Sequence, residues 1–544
     1  MVGFDFLSGP DASVQAVFAA HAAEVPDKTF AEMGGTSYSY GRVDADANRI
    51  AHVLTGQLGA IPGDIVAVYM SNCPEFFPVM LGLQRARAVY VPFSTHYSAD
   101  ELTYQLAHCQ ARVVIVDTAH HALLSSVLPA CPRVEHVVVV GEECEPPPRI
   151  AQHSLTVLCE AGEAALPPGA SDASPDDLAM VMYTSGTTSR PKGVMFSAGN
   201  LYAAADMCVT HFRWSPADRF LHFFPLFHSN GGLFGVWPAV LGQATLVMVD
   251  RFSASGFGRQ LHELDISLAS VNATHVKMIL AHPPTEHDRA HRAWRMCLGL
   301  TLEPCDVLTF EHRFSTRLCP TYGLTESMGN NVIGDPVGPR RIGSAGRIVR
   351  GYSIRVTDAD GTEASPGQAG QAQVFSHQRH GLPLGYFRNP EATAATYASG
   401  WVQTGDVVRV DADGYVWFVE RQSDMIKRSG FNVAPAEVER VIRDIDGVAD
   451  VAVVPTADAV REQAIVAYVV QAEGADLDVA AVISACARHL AEYKVPQVVE
   501  FIEELPRTFL GKIDRKALRQ LAVVHEVRAQ AGNEPAAAVN PAPE

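Results

Sequence analysis

The chain has 544 residues, several times the size of one domain, which indicates two or more domains with a large core. Its 42 Lys and Arg residues stand against 60 Asp and Glu residues, and this formal net charge of −18 argues against general attraction to nucleic acid or anionic membranes. The hydrophobic fraction of 47% is typical of a globular enzyme.

The first residues, MVGFDFLSGPD, contain no basic segment followed by an apolar run, and no apolar stretch of the sequence reaches membrane-spanning length. The ten cysteines are scattered and include no CxxC pair. We therefore expect reduced structural thiols, no zinc site and no membrane span, and we expect a cytoplasmic protein.

Residues 65–117 alternate short apolar runs with longer amphipathic ones. The order is IVAVYM, EFFPVMLGLQ, VYVPF, ADELTYQLAHCQ and RVVIVD, which predicts strand, helix, strand, helix and strand. This pattern predicts a parallel sheet covered by helices. Residues 142–177 are rich in Pro, Glu, Ala and Ser, and are expected to run over the surface.

A loop rich in hydrogen-bond donors follows at residues 183–193, with the sequence YTSGTTSRPKG. Its serines, threonines and glycines let the backbone approach a polyphosphate closely, and its two cations supply positive charge. It is not the GxxxxGKS/T phosphate loop, because Lys192 is followed by glycine. The loop predicts nucleotide binding, and the competing interpretation is a polar surface turn.

The pattern changes after residue 351, where YSIRVTDADGTE and VVRVDADGYVWFVE each place an Asp-Gly turn between β-prone runs. Both segments predict antiparallel hairpins. Beyond Asp424, a helix opened by Pro435, the strands VADVAVVP and AIVAYVVQ, and a helix from Val479 predict a small α+β domain.

Further motifs follow the loop in a fixed order: YGLTE at residues 322–326, TGD at 404–406, then Arg421, Gly430, and Lys512 within LPRTFLGKIDR. One such fragment is weak evidence. The set, in this order, closely resembles the adenylate-forming superfamily of acyl-CoA synthetases, firefly luciferases and peptide-synthetase adenylation domains. The resemblance covers the chain up to about residue 520.

The resemblance implies an α/β fold with a large N-terminal domain of layered α/β structure with a β-subdomain, and a small mobile α+β C-terminal domain. We expect the first domain at residues 1–420, a hinge at 421–424, the second domain at 425–525 and a disordered tail at 526–544. The hinge contains Ser423, where the family commonly has Asp or Lys, and Asp424. Serine can also absorb a backbone rotation.

The reaction that the resemblance implies has two steps. A carboxylate attacks the α-phosphate of ATP to give an acyl-adenylate and pyrophosphate, and a thiol, usually that of coenzyme A, then displaces AMP. Mg²⁺, ATP or a supplied acyl-adenylate, and CoA are the implied cofactors and substrates. The implied partners are a small carboxylic acid or its adenylate and CoA, without nucleic acid; a homodimer stays open.

The matching motifs carry over roles residue by residue. Lys512 and His228 are expected at the reacting groups, Lys512 during adenylation and His228 beside the acyl carboxylate, together with Thr184 and Glu326, the latter as the Mg²⁺ ligand. The expected nucleotide contacts are Thr184, Ser185, Gly186, Thr187, Thr188, Lys192, Tyr322, Thr325, Asp406 and Arg421. The expected acyl pocket comprises His228, Gly231, Gly232, Gly299 and Gly323. Ser429, Gly430 and Phe431 are expected to line the CoA tunnel, where a side chain at Gly430 would obstruct the thiol.

Three segments depart from the family pattern. Ser189 replaces a usual glycine of the loop, and residues 271–276, VNATHV, lack a usual proline. Residues 295–304, RMCLGLTLEP, stand where the family has a small-residue segment resembling SGGAP along the adenine. Bulky side chains there either narrow the adenine slot or open a larger apolar acyl cavity.

The main hypothesis is an acyl-CoA synthetase that activates a hydrophobic acid, because residues 223–237 and 278–280 are apolar. A thiolation-only ligase acting on a preformed acyl-adenylate is the first alternative, because the adenine segment is altered. An adenylation enzyme that loads a carrier protein, a luciferase-like oxidative enzyme and a non-catalytic binding protein are the others.

Overall fold

The computed structural model describes residues 13–184, 190–299, 302–358, 360–421, 426–433, 435–458, 460–506, 513–515 and 517–522. The described residues between 13 and 421, apart from Arg190, form a large compact unit, and those from 426 onward form a small one. Loop residues 185–189, the hinge residues Ser423 and Asp424, Lys512 and the predicted tail lie outside the described residues.

The strands are, in chain order, β1 (Thr29–Met33), β2 (Thr36–Ser39), β3 (Ile65–Tyr69), β4 (Val89–Pro92), β5 (Val113–Asp117), β6 (His136–Val140), β7 (Ala151–Ser154), β8 (Leu178–Thr184), β9 (Lys192–Ser197), β10 (Arg219–His222), β11 (Thr245–Met248), β12 (Leu268–Asn272), β13 (Arg295–Gly299), β14 (Arg317–Tyr322), β15 (Val332–Ile333), β16 (Gly346–Ile348), β17 (Tyr352–Thr357), β18 (Ala369–Ser376), β19 (Gly385–Tyr386), β20 (Val402–Val410), β21 (Tyr415–Arg421), β22 (Ile426–Arg428), β23 (Phe431–Val433), β24 (Val448–Asp458), β25 (Glu462–Gln471) and β26 (Val498–Phe501).

The α-helices are α1 (Val14–Glu24), α2 (Tyr40–His52), α3 (Phe76–Arg85), α4 (Ala99–Cys109), α5 (His121–Val127), α6 (Leu155–Glu160), α7 (Ala198–Phe212), α8 (Trp237–Leu241), α9 (Phe257–Glu263), α10 (Ala273–Leu280), α11 (Pro304–Phe314), α12 (Pro390–Thr396), α13 (Pro435–Arg443) and α14 (Val479–His489). None of the described helices is long and apolar enough to cross a membrane.

Two large sheets frame the large unit. One has the order β17-β18-β20-β21-β16-β15-β14-β13-β12-β10-β11-β1-β2, and the other β19-β9-β8-β4-β3-β5-β6-β7. Strands β3, β4 and β5 run parallel, with α3 and α4 as crossovers, which confirms the pattern predicted for residues 65–117. These strands are almost wholly buried, as expected where helices cover a parallel sheet.

The two predicted hairpins differ in length. Strands β20 and β21 pair across the turn at Gly414, as predicted. Strand β17 pairs along its whole length with β18, and the Asp-Gly segment after it closes a short antiparallel hairpin through a bridge between Thr357 and Glu363 and a hydrogen bond from the N–H of Ala364 to the carbonyl oxygen of Val356. The two pairings coexist, since Thr357 is paired with both Gln371 of β18 and Glu363 of the short hairpin.

The small unit has the α+β order that the sequence predicts. Helix α13 begins at Pro435 and buries Val438, Val441 and Ile442 against the antiparallel pair β24–β25. Helix α14 lies on the same core, with Val482 and Cys486 buried. The fold class predicted from the sequence, a large α/β domain followed by a small α+β domain, is confirmed.

Candidate active site

The donor-rich loop joins the two strands of an antiparallel hairpin. Thr184 at the end of β8 pairs with Lys192 at the start of β9, and Tyr183 pairs with Gly193. The pairing brings the two described ends of the loop side by side. Because side chains alternate along a strand, Thr184 and Tyr183 point to opposite faces of the sheet.

Thr184 contacts the motif YGLTE directly. Its hydroxyl donates a hydrogen bond to Glu326 Oε1 at 3.0 Å, and the hydroxyl of Tyr386 donates to the same oxygen at 3.0 Å. The hydroxyl of Tyr397 donates to the backbone carbonyl of Glu326 at 3.0 Å. Glu326 lies in a one-turn 3₁₀ helix directly after β14, so three hydroxyls from distant segments fix its orientation.

Lys192 completes this group, which we call the Glu326 cluster (Thr184, Lys192, Glu326, Tyr386 and Tyr397). Its ammonium lies 5.0 Å from the centre of the Tyr386 ring, within cation–π range. Burial, and then the charge of Glu326, raise the pKa of Tyr386, so the phenol stays protonated and remains a donor at neutral pH.

The cluster fits the Mg²⁺ ion that the family resemblance implies. The hydroxyls of Thr184 and Tyr386 both donate to Oε1 of Glu326. Among the described residues, Oε2 is therefore the carboxylate oxygen that can bind a cation. No group of three His, Cys, Asp or Glu side chains that could hold a metal occurs among those residues. Mg²⁺ at such a site takes one carboxylate and completes its shell with phosphate oxygens and water.

The residues predicted at the ribose and the adenine form a second group. The hydroxyl of Tyr322 donates to Asp406 Oδ2 at 3.1 Å, and Asp406 is almost fully buried. The N–H of Asp406 donates to the hydroxyl of Thr404 at 3.1 Å. Arg421 lies opposite Asp406 in the β20–β21 pairing. The structure therefore brings the YGLTE and TGD motifs into contact across 84 positions of sequence.

Thr325 and Gly323 lie at the turn between these two groups. Thr325 begins the short 3₁₀ helix that carries Glu326. Gly323 packs so tightly that a Cβ built on it would stand 1.2 Å from the carbonyl oxygen of Gly329. A side chain there would displace the backbone, so the requirement for glycine is explained by the turn itself.

His228 and the two following glycines form a tight segment before α8. The N–H of Asn230 donates to Nδ1 of His228 at 3.3 Å, which places the imidazole proton on Nε2. Burial lowers the pKa of His228 to about 4, so the ring is neutral at pH 7. A Cβ on Gly231 would stand 2.0 Å from the carbonyl oxygen of Pro225, and one on Gly232 2.9 Å from that of Leu226.

A narrow cavity of about 20 Å³ adjoins this segment. Its lining residues are Cys208, Phe212, Trp214, Asn230, Phe234, Ser270, Cys297, Gly299, Thr321 and Asn330. A Cβ on Gly299 would make only ordinary contacts, the nearest 3.7 Å from the Cβ of Asn272. Gly299 is therefore a predicted acyl-pocket glycine that the local packing does not require.

The altered segment 295–304 supplies walls to two cavities on opposite faces of β13. Cys297 and Gly299 line the narrow cavity, whereas Leu298 and Leu302 line a cavity of about 340 Å³. Leu318, Ile333 and Ile342 add apolar surface to the larger one, and Arg213, Arg340, Arg341 and Arg347 lie around it. Leu300 and Thr301 lie outside the described residues.

The predicted tunnel residues form one tight hairpin of the small unit. Ser429 and Gly430 connect β22 to β23 and both have positive φ, 52° and 81°, as a two-residue type I′ turn requires. Phe431 stacks on Tyr493 with ring centroids 4.4 Å apart. The turn geometry by itself accounts for glycine at position 430.

Two family models match the chain: AMP-binding enzyme at residues 18–386, and AMP-binding enzyme C-terminal domain at residues 437–512. The first alone covers more than half of the sequence. The chain therefore belongs to the AMP-binding enzyme family, that is, to the adenylate-forming superfamily.

Relatives narrow the class further. A crotonobetaine/carnitine–CoA ligase of Salmonella typhi is 30% identical over 486 residues, which are 89% of this chain and 93% of the relative. ATP-bound MatB from Rhodopseudomonas palustris is 28% identical with a TM-score of 0.68, over 94% of this chain and 99% of that one. A fatty acyl CoA synthetase of Mycobacterium tuberculosis is 26% identical with a TM-score of 0.66, over the same shares. The chain is of the acyl-CoA synthetase type, an acid–CoA ligase of a class that works through an adenylate and uses ATP, Mg²⁺ and CoA.

Several residues at this site carry no motif of their own. Tyr386 and Tyr397 lie 60 and 71 positions after Glu326, and a tyrosine in either segment is indistinguishable from a core aromatic in the sequence. Asn230 differs, because its place two residues after His228 marks it as a neighbour.

Proposed function

We propose that the chain carries out both half-reactions of an acid–CoA ligase: ATP-dependent formation of an acyl-adenylate, then transfer of the acyl group to CoA. The observation that supports retention of the first step is the Glu326 cluster. The Glu326 carboxylate accepts hydrogen bonds from two hydroxyls and lies next to Lys192, an arrangement suited to binding Mg²⁺ and phosphate. A ligase that only accepts preformed acyl-adenylates does not need to bind the β- and γ-phosphates of ATP.

In this proposal Thr184 and Tyr386 orient Glu326, and Lys192 adds positive charge on the phosphate side. Mg²⁺, when bound, neutralises phosphate charge and aligns the ATP phosphates for displacement. Tyr322 and Asp406 hold the adenosine, with Asp406 accepting hydrogen bonds from the ribose hydroxyls. Lys512 is assigned the contact to the charge that develops at the α-phosphate.

His228 is assigned to the acid. Its neutral ring carries the proton on Nε2, so it can donate a hydrogen bond to the substrate carboxylate without a proton transfer. No general base is required, because a carboxylic acid is already ionised at pH 7. His228 therefore positions the nucleophilic oxygen towards the α-phosphate.

We assign the acyl tail to the narrow cavity, because Gly299 and Asn230 line it and Thr321 directly precedes the adenine-side Tyr322. A volume of about 20 Å³ is close to that needed by one water molecule, so the tail is short unless the walls move. The lining mixes aromatic, thiol and amide groups, which favours a compact acid over a long hydrophobic one. We also propose that the large domain spans residues 1–420, that the hinge spans 421–424 and that the small domain spans 425–525.

The test is a panel of free acids assayed for pyrophosphate release with ATP, and of their adenylates assayed for thioester formation with CoA. The panel should include short aliphatic acids, aromatic acids, carnitine and crotonobetaine. We expect acid-dependent pyrophosphate release followed by AMP and the CoA thioester. Thioester from supplied adenylate without pyrophosphate release would instead establish the thiolation-only alternative, and transfer only to a carrier phosphopantetheine the carrier-loading one.

Gly299→Ala tests the acyl assignment. The added methyl group meets only ordinary contacts, so we expect a folded enzyme whose kcat/KM falls at least tenfold for the largest accepted acid and less for the smallest. An equal fall in kcat/KM for all acids would contradict the assignment of the acyl tail to this cavity.

A further inference from the structure

Helix α4 contacts both ends of the donor-rich loop. His108 Nδ1 lies 2.7 Å from the hydroxyl of Tyr183, the residue before Thr184. The hydroxyl of Tyr104 donates to the carbonyl oxygen of Pro191, the residue before Lys192, at 3.2 Å. The loop therefore leaves and re-enters the sheet at two points that one helix holds.

The two contacts come from a single face of the helix. Tyr104 and His108 are four positions apart, so they lie one above the other on the same side. Their ring centroids are 5.6 Å apart, and the imidazole also meets the Tyr183 ring edge-on, with centroids at 5.7 Å. The pair is therefore packed as well as hydrogen-bonded.

The helix is itself anchored at both ends. Ser98 caps its start in a reciprocal capping box with Glu101. At its end, Arg388 donates to the carbonyl oxygen of His108 at 3.3 Å and to the side-chain oxygen of Gln110 at 2.7 Å. The N–H of Phe387, the neighbour of Arg388, donates to the carbonyl oxygen of Gly193 at 2.7 Å. The contacts connect α4 back to β9, so the loop ends cannot shift without the helix.

The contact between His108 and Tyr183 is neutral. Burial and then the charge of Arg388 lower the pKa of His108, and burial raises the pKa of Tyr183. The phenol therefore keeps its proton and the imidazole carries no charge at pH 7. A neutral hydrogen bond on this face adds no charge near a site that must attract phosphate.

We propose that Tyr104 and His108 are positioning residues for the phosphate loop, and that they act on adenylation and not on thiolation. The inference rests on the proposed function, since it requires that the loop bind the ATP phosphates. Thr184 faces Glu326, whereas Tyr183, on the opposite face of the same strand, faces α4. The contact of Tyr183 with α4 therefore fixes the position of the strand that carries Thr184. Pyrophosphate leaves after the first half-reaction, so the second half-reaction does not depend on binding of the β- and γ-phosphates by the loop.

The experiment measures both half-reactions in Tyr104→Phe, Tyr183→Phe and His108→Leu. Tyr104→Phe and Tyr183→Phe each remove one phenol hydrogen bond, and His108→Leu removes the same bond as Tyr183→Phe together with the ring contacts of the imidazole. A net hydrogen bond is worth roughly a threefold to tenfold change in an equilibrium constant. We expect KM for ATP in pyrophosphate release to rise by about that factor, with thioester formation from supplied adenylate within about twofold of wild type. His108→Asn, whose amide can reach the Nδ1 position, should recover most of the loss.

Thr103→Ala is the matched control, because Thr103 lies on the same helix but its hydroxyl bonds to Ala99 within it. It should leave KM for ATP unchanged. If His108→Leu fails to fold, Tyr183→Phe removes the same bond from the strand side. The double variant Tyr183→Phe with His108→Leu should be no worse than the more affected single variant, because both lack the same bond.

Three results would overturn the inference. KM for ATP could stay unchanged in folded variants, or both half-reactions could fall in parallel with thermal stability, as expected of mere packing. If wild type itself releases no pyrophosphate with any acid while forming thioester from adenylate, the proposed function fails first and the positioning role fails with it. Either of the first two results, with pyrophosphate release intact in wild type, would overturn only the positioning role.

Discussion

The Glu326 cluster and the altered segment 295–304, which the family pattern predicts at the phosphates and at the adenine, differ in how closely they match that pattern. The cluster contains the Thr184, Lys192 and Glu326 that the family pattern predicts, and hydrogen bonds of 3.0 Å from Thr184 and Tyr386 hold the Glu326 carboxylate. In the adenine segment, Leu298 and Leu302 stand near positions where the family has small residues, and both pack into a core. The predicted phosphate residues therefore match the family pattern in residue type, whereas the predicted adenine segment matches it only in its position along the chain.

The physical reason lies in what each part of a nucleotide demands. Phosphates need charge and donors at fixed points, so losing one group is costly. Adenine offers a flat, largely apolar face that many side chains can cover. Divergence is therefore tolerated on the adenine side, where it can also reshape adjoining cavities.

Of the changes predicted here, Glu326→Gln should have the largest effect on activity. The amide can still accept hydrogen bonds from Thr184 and Tyr386, so the fold is kept while the negative charge is lost. We expect ATP-dependent pyrophosphate release to fall by roughly 100-fold to 1000-fold, with a raised requirement for Mg²⁺. Thioester formation from supplied adenylate should fall far less, and an equal fall in both would contradict the assignment to the phosphate side.

Tyr386→Phe should give a smaller loss of the same kind. It removes one of the two hydroxyls that orient Glu326 but leaves the ring beneath Lys192. We expect adenylation to fall about tenfold, as for other groups that orient a metal ligand. Tyr352→Phe is the matched control, because its buried hydroxyl donates to the carbonyl of Gly381 instead. That variant should lose stability with little loss of activity; equal activity losses would argue against a specific role for Tyr386.

Leu302→Ala probes the adenine side. Leu302 is buried, so truncation should destabilise the large unit by about 2–3 kcal/mol, visible as a lower Tm. If that side tolerates divergence, KM for ATP should change by less than about threefold. A large drop in KM for ATP would mean that the leucine narrows the adenine slot, and would favour the view that adenylation is impaired in the natural protein.

The pH dependence at His228 is the smallest expected effect. Its pKa of about 4 lies below the assay range, so the ring is neutral from pH 5.5 to 8.5 and becomes cationic only in stronger acid. We expect the ratio of kcat/KM for the acid between wild type and His228→Gln to stay constant over that range. A ratio that rises as pH falls through 6.5 would mean that His228 binds the carboxylate as a cation.

Much of the fold was accessible from the sequence. The alternating runs at residues 65–117 predicted parallel strands because burial on both faces leaves continuous apolar segments, and the small unit was predicted from helix and strand periods. The long pairing of β17 with β18 was not predictable, since the local pattern of β17 marks only the Asp-Gly turn that follows it and not the second strand that joins it in the sheet. The order of the motifs identified the family and predicted Thr184, Lys192 and Glu326, because the chemistry of the family fixes residue types at those points. Tyr386 and Tyr397 carry no motif and were not predicted.

The sequence by itself determined the family, the two-part α/β and α+β organisation, and the types of residue at the phosphate site. Only the tertiary structure showed that Tyr386 and Tyr397 donate hydrogen bonds to Glu326 and that Tyr322 donates one to Asp406. It also showed that side chains of α4 form hydrogen bonds at both ends of the loop. These contacts join residues 60 to 87 positions apart. Periodicity and motifs report what one segment does locally, whereas such contacts depend on sheet order and on which strand face a side chain occupies.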